Sequence, residues 1–137
     1  MTVTTANRTT QSTTRPSNAL LLMPRLLLNG EAAVFFLGAI ALYIHQGGSL
    51  LLFAVLILAP DLGMLGYLAN PRVGSVVYNT IHFYLLPVVV IVVSMAADSA
   101  LGLQIGLIWF AHISMDRIVG YGLKYPTAFK DTHLQHV

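Results

Sequence analysis

The chain has 137 residues, of which 56% are apolar and only 9% charged, where an ordinary soluble domain carries roughly 25% charged residues. A soluble domain of this size has a large surface to keep wet, and seven basic and five acidic side chains cannot cover it. These proportions exclude a soluble globular domain, a disordered protein and a nucleic-acid binder, and they leave an integral membrane protein. The absence of cysteine removes disulfides, thiolate metal sites and cysteine nucleophiles.

Residues 1–18, MTVTTANRTTQSTTRPSN, are polar, rich in Thr and Ser and without a hydrophobic period, which predicts a disordered tail. They do not read as a signal peptide, because no apolar run stands directly behind the basic start. Apolar residues begin at Ala19, and Pro24-Arg25 interrupts them. Four apolar stretches follow, at 25–43, 49–69, 73–95 and 100–121. Each is close to the ~20 residues that cross a bilayer as a helix. The breaks Gly47-Gly48-Ser49, Asn70-Pro71-Arg72 and Ala97-Asp98-Ser99 carry turn residues and are short enough to make neighbouring helices antiparallel. The predicted fold is all-α: residues 19–123 form a four-helix up-and-down transmembrane bundle. Pro60 removes a backbone hydrogen bond inside the second helix and predicts a kink there.

The charges set the orientation. Arg8, Arg15, Arg25, Arg72, Lys124 and Lys130 fall on the side of the N-terminal tail, with Arg117 just inside it, and the opposite side offers only His45 and Asp98. Positive residues stay in the cytoplasm, so both termini are expected there.

Polar residues then appear where lipid should be. Glu31 lies in the first helix and Asp61 in the second. Asn79 and His82 share a face of the third, and His112 and Asp116 share a face of the fourth. At 1.5 Å rise per residue, all six stand about 8 to 15 Å from the cytoplasmic ends of their helices. An ionisable residue in a membrane helix costs at least ~2.5 kcal/mol on insertion scales and is a functional candidate by default. One shared depth on four helices implies one convergent site. Each residue also has a plainer use: Asn79 as glue between helices, Glu31 snorkelling or paired with Arg25 or Arg117, His112–Asp116 as a local hydrogen bond. Gly102 and Gly106 form a small-xxx-small pattern that suits helix packing. The tail at 124–137 contains Asp131 and His133, which can fold back as a lid over the cytoplasmic mouth or stay solvated.

The strings APDLGMLGYL, YNTIHFYLLP, AHISMDRIVGYGLKYP and FKDTH resemble the small bacterial membrane proteins grouped as domain of unknown function 4260. The likeness runs from Arg25 to His133, and GYGLKYPTAFKDTHL is its most specific part. It implies a multi-helix protein of the bacterial inner membrane and no particular activity. A fainter likeness is to membrane-bound metal-dependent hydrolases, which pair an early carboxylate, a middle histidine, and a late His-x-x-x-Asp followed by Tyr-Gly and Pro. It maps onto Asp61, His82, and His112 with Asp116.

Two carboxylates and two imidazoles suit a divalent metal ion. Asp61, His82 and His112 are then the ligands. Asp116 is the fourth, or the carboxylate that fixes the His112 tautomer. Without metal, the same groups are a buried acid and a poised base, with Glu31 as a further candidate and Asn79, Asp131 and His133 in support. Either way the expected substrate is a lipid-like or hydrophobic small molecule that arrives through the bilayer or its cytoplasmic interface. The competing readings are a haem b or proton-handling protein, and a non-enzymatic small membrane subunit or interaction protein. A homo-oligomer is compatible with all of them.

Overall fold

The computed structural model describes residues 18–125, with side chains from Met23 onward. The described chain is helical and crosses back and forth as an up-and-down bundle. Helix α1 spans Asn18–His45. The second crossing is α2, Leu50–Leu56, continued by a 3₁₀ helix over Ala59–Leu68. The third is α3, Pro71–Ile81, followed by α4, Leu85–Ala96. The fourth is α5, Ala100–Val119. Residues 1–17 and 126–137, including Asp131 and His133 of the expected lid, lie outside the described residues.

The turn residues act as caps. Ser49, Asn70 and Ser99 accept hydrogen bonds from Leu52 N (3.4 Å), Val73 N (2.9 Å) and Gly102 N (3.2 Å). These oxygens satisfy amides that the first turn of a helix leaves orphaned. Helix α5 ends at Gly120 with φ of 90°, a left-handed conformation that glycine adopts without a Cβ penalty. That turn reverses the chain and sends residues 121–125 back along the bundle.

Three segments are long and apolar enough to cross a membrane: Met23–His45, Leu50–Leu68 and Pro71–Ala96. Their outward faces carry exposed Leu27, Leu37, Leu50, Val55, Leu65 and Val92, a surface that suits lipid rather than water. Helix α5 is different. It buries Gly106, Leu107, Ile108, Ala111, His112, Ile113 and Ser114 and packs chiefly against α1 and α4. It therefore carries polar residues at its inner face without presenting them to lipid.

Apolar side chains gain little by leaving lipid for protein, so close packing through small residues holds such bundles together. A Cβ added to Gly106 would stand 2.7 Å from Ile91 Cγ1, and one added to Gly102 would run into Ser94. The Gly102–Gly106 pair thus sets the approach of α4 to α5. On the other flank, a Cβ on Gly66 would stand 3.3 Å from Gly74 Cα, and one on Gly74 would enter the Tyr67 ring. These glycines let the 3₁₀ helix lie directly on α3.

Two details differ from the sequence reading. Pro24 lies inside α1 and does not interrupt it. A membrane helix tolerates the single lost hydrogen bond when apolar residues continue on both sides. The stretch at 73–95 is two helices, not one. Pro87 has no N–H for the Phe83 carbonyl, which takes a 3.2 Å bond from Leu86 N instead. Proline is well tolerated in a first turn, so α4 starts afresh at Leu85 and leaves a break at residues 82–84. The kink expected at Pro60 takes the form of the ten-residue 3₁₀ helix that begins beside it. Runs of 3₁₀ this long are uncommon and tend to mark functional or strained segments.

Candidate metal centre

The break between α3 and α4 is where the site is built. Ending α3 frees carbonyls inside the bundle, and side chains from α5 take them up. Trp109 Nε1 donates to Ile81 O at 2.9 Å, and Arg117 Nη2 reaches His82 O at 3.5 Å. A buried carbonyl left alone in this environment would be costly. The break thus depends on α5, and it fixes His82 at the end of α3.

His82 is held from three sides. Its backbone N–H donates to Tyr78 O at 2.8 Å. Its ring stacks on the Tyr78 ring, with centroids 3.7 Å apart and planes 12° from parallel. Its Nδ1 lies 2.9 Å from the same Tyr78 carbonyl oxygen. A carbonyl only accepts, so Nδ1 carries the proton and the Nε2 lone pair points inward.

His112, on α5, is fully buried and presents its own Nε2 3.1 Å from that of His82. Asp116 follows one turn later, and its Oδ2 lies 3.5 Å from His82 Nε2 and 3.8 Å from His112 Nε2. Tyr78 donates its hydroxyl to the same Oδ2 at 3.1 Å. Asp61 arrives from the 3₁₀ helix, just after buried Pro60, with its Oδ1 3.7 Å from His82 Nε2 and 3.5 Å from His112 Nε2. One ligand atom from each of the four lies within 4.8 Å of all the others.

This arrangement is short of positive charge at its centre. The buried His112 Nδ1 has no hydrogen-bond partner among the described residues. If that nitrogen holds the proton, two imidazole lone pairs face each other between two carboxylates. If Nε2 holds it, the Nδ1 lone pair is buried without a donor. A cation at the centre removes the conflict among the inward-facing atoms. With metal–ligand bonds of about 2.1 Å, the ligand atoms of a tetrahedral site stand about 3.4 Å apart. The five separations given above run from 3.1 to 3.8 Å. These residues can hold a metal ion.

The other candidates sit elsewhere. Glu31 is exposed on α1 and does not join the four. Asn79 lies one turn from His82 but turns to the chain beyond α5: its Nδ2 donates to Lys124 O at 2.8 Å, and its Oδ1 accepts from Lys124 N at 2.7 Å. This two-bond clamp pins the returning segment. It brings Lys124, buried, over the rings of Tyr78 and Tyr67, at 4.4 and 5.4 Å from Nζ to ring centroid. Burial lowers the Lys124 pKa, and the negative charges of Asp116 and Asp61 partly offset that shift. Sequence reasoning passed over Tyr78, Trp109 and Lys124. For the first two a signal existed: Tyr78 stands four residues before His82 and Trp109 three before His112, on the same helix faces.

An apolar groove adjoins the cluster, with a volume of about 470 Å³ between the 3₁₀ helix, α3 and α5. Several of its wall residues are close in sequence to the site residues. Pro60 and Leu62 flank Asp61, Ile81 precedes His82, and Ile108 and Trp109 lie one turn before His112.

The model of a family described as a domain of unknown function, DUF4260, matches residues 25–137. The chain belongs to the DUF4260 family. The match spans all four clustered residues and the segment that bears Lys124. Neither a curated protein nor a solved structure matches this DUF4260 chain.

Proposed function

We propose that this protein is a membrane-embedded metalloenzyme. It holds one divalent ion on His82 and His112 through Nε2 and on the carboxylates of Asp61 and Asp116, and it acts on a hydrophobic small molecule. The observation that carries this reading is the convergence of four ligand atoms, five of whose six separations run from 3.1 to 3.8 Å, around an inward-facing His82 lone pair. A bound divalent ion supplies Lewis acidity and an activated water at neutral pH. The chain's own groups orient the ligands: the Tyr78 carbonyl sets the His82 tautomer, and the Tyr78 hydroxyl holds Asp116.

An enzyme is favoured over a structural subunit on energetic grounds. Burying ionisable groups in so small a bundle costs stability that an all-apolar core would avoid. The apolar groove beside the cluster would give the cost a use, as a seat for the hydrophobic part of a substrate. Haem ligation is disfavoured, because two Nε2 atoms 3.1 Å apart leave no space for a macrocycle between them. In this reading the protein lies in the bacterial inner membrane with both termini in the cytoplasm and the site in the cytoplasmic half.

The test is a search for consumed substrate. Purified protein, stripped and reloaded with zinc or manganese, is incubated with the total lipid and small-molecule extract of a bacterial membrane and followed by mass spectrometry. A species that disappears with metal-loaded wild type, and persists with chelator or with His112→Ala, supports the reading. Consumption that survives chelator points instead to metal-free acid–base chemistry, for which the Tyr78–Asp116 bond supplies a positioned proton donor. No consumption under any condition favours the non-enzymatic subunit.

A further inference from the structure

Glu31 stands exposed on α1, inside the apolar span Met23–His45. Among the described residues nothing pairs with its carboxylate, and the Asp/His cluster does not include it. Ionisable side chains in membrane helices almost always face the bundle interior or a partner. A carboxylate that faces outward calls for a partner from the bilayer side.

The same face of α1 carries a second apolar groove. Val34, Phe35, Gly38 and Leu42 follow Glu31 by three, four, seven and eleven residues, the spacing of one helical stripe. They line a groove of about 370 Å³ that α4 closes through Ile91 and α5 through Phe110. It shares no lining residue with the groove beside the cluster. Phe35 holds its wall, packed edge-on against Tyr84 and Phe110 with ring centroids 6.1 and 5.8 Å away. A Cβ on Gly38 would meet nothing within 4 Å, so the groove is open at the middle of α1.

Size and charge together select the occupant. Val34 to Leu42 covers about 12 Å of helix axis, so the groove averages about 30 Å² in cross-section. A helix about 10 Å across needs more than twice that, whereas a single hydrocarbon chain fits. Side chains on a helix lean towards its N-terminus, so the Glu31 carboxylate stands at the end of the groove nearer the membrane surface. A carboxylate only accepts hydrogen bonds, and its strong partners are charged N–H donors. An anionic head would be repelled there, and a quaternary ammonium offers no N–H.

We infer that this groove binds a membrane lipid whose head carries a protonated primary amine. One hydrocarbon chain lies along Val34, Gly38 and Leu42, and the ammonium donates to Glu31. The inference is independent of the metalloenzyme reading and stands whether or not the cluster holds an ion.

The experiment is native mass spectrometry of the full-length protein in a non-ionic detergent, titrated with phosphatidylethanolamine, phosphatidylcholine and phosphatidylglycerol of identical acyl chains. Wild type is expected to hold its first phosphatidylethanolamine about tenfold more tightly than either of the others, the low end for a charge-assisted contact. Glu31→Gln should bring phosphatidylethanolamine down to the level of phosphatidylcholine, and Glu31→Lys should turn the preference to phosphatidylglycerol. Gly38→Phe fills the groove and should weaken the first phosphatidylethanolamine by about tenfold. Leu42→Trp fills it from the next turn and serves if Gly38→Phe does not fold. Equal binding of the three lipids by wild type overturns the inference, as does a phosphatidylethanolamine preference that survives Glu31→Gln or both groove variants. The same spectra give the mass of the assembly. A wild-type dimer that is lost in the Glu31 and Gly38 variants would assign this face to a second copy of the chain and likewise overturn the lipid site.

Discussion

Replacing Asp61 by asparagine should make the metal-free protein more stable and the metal-loaded protein less so. Asp61 and Asp116 present carboxylate oxygens no more than 4.8 Å apart. Two unit charges at that distance repel by about 3.5 kcal/mol at an effective dielectric of 20. The Asp61 side chain is 31% exposed, and the Lys124 ammonium interacts with both carboxylates. Solvent and that cation screen the repulsion to about 1–2 kcal/mol. Asparagine keeps the shape and removes the charge. Stripped of metal, the D61N variant should therefore melt about 3 to 10 °C above wild type. Adding zinc at 100 times its Kd should stabilise wild type by about 2.7 kcal/mol and the variant far less, so the order reverses. Thermal unfolding in detergent, followed by circular dichroism with chelator and with zinc, reads both halves. The reasoning fails if D61N melts below wild type in chelator, or if zinc raises both proteins equally.

Other consequences can be checked independently. Tyr78→Phe keeps the ring stacked on His82 but removes the hydroxyl bond to Asp116, and should weaken metal binding by about 10-fold with little change in fold; a competition titration measures it. Gly106→Val should cost about 1–3 kcal/mol by pushing α4 off α5. Gly38→Val, where a Cβ meets nothing within 4 Å, should cost little, and equal losses in thermal melts would contradict the packing account. A reporter that is active only in the cytoplasm, fused after Val137, should be active; activity from a periplasm-only reporter at that end refutes the proposed orientation.

Depth and angular position differ in how much of them a sequence contains. The rise per residue places Asp61, His82, His112 and Asp116 in one layer, and the structure brings those four together. Glu31 falls at the same depth, yet it faces outward on α1. Its angle depends on which face of α1 packs against α5, and α1 has apolar residues all round. Asn79 shares both depth and face with His82, but its amide pairs with the backbone of Lys124, a partner 45 residues away that no local pattern announces. The four helical passes were legible from hydropathy and turn residues, and three of them are long and apolar enough to cross a membrane. The break at residues 82–84 was legible only through Pro87, whose missing N–H matters because α5 supplies Trp109 and Arg117 to the freed carbonyls. The role of α5 as the inner helix follows from the same logic: a helix with His112, Asp116 and Arg117 must turn that face away from lipid.

The most direct test of the account is the metal content of the protein, purified without chelators and without added metal. Elemental analysis by mass spectrometry on wild type should find close to one divalent ion per chain, and the ion should be lost in both H82A and H112A variants that still elute as folded protein. Wild type that carries no ion, and takes up none when zinc, manganese, iron and cobalt are offered in turn, would contradict it.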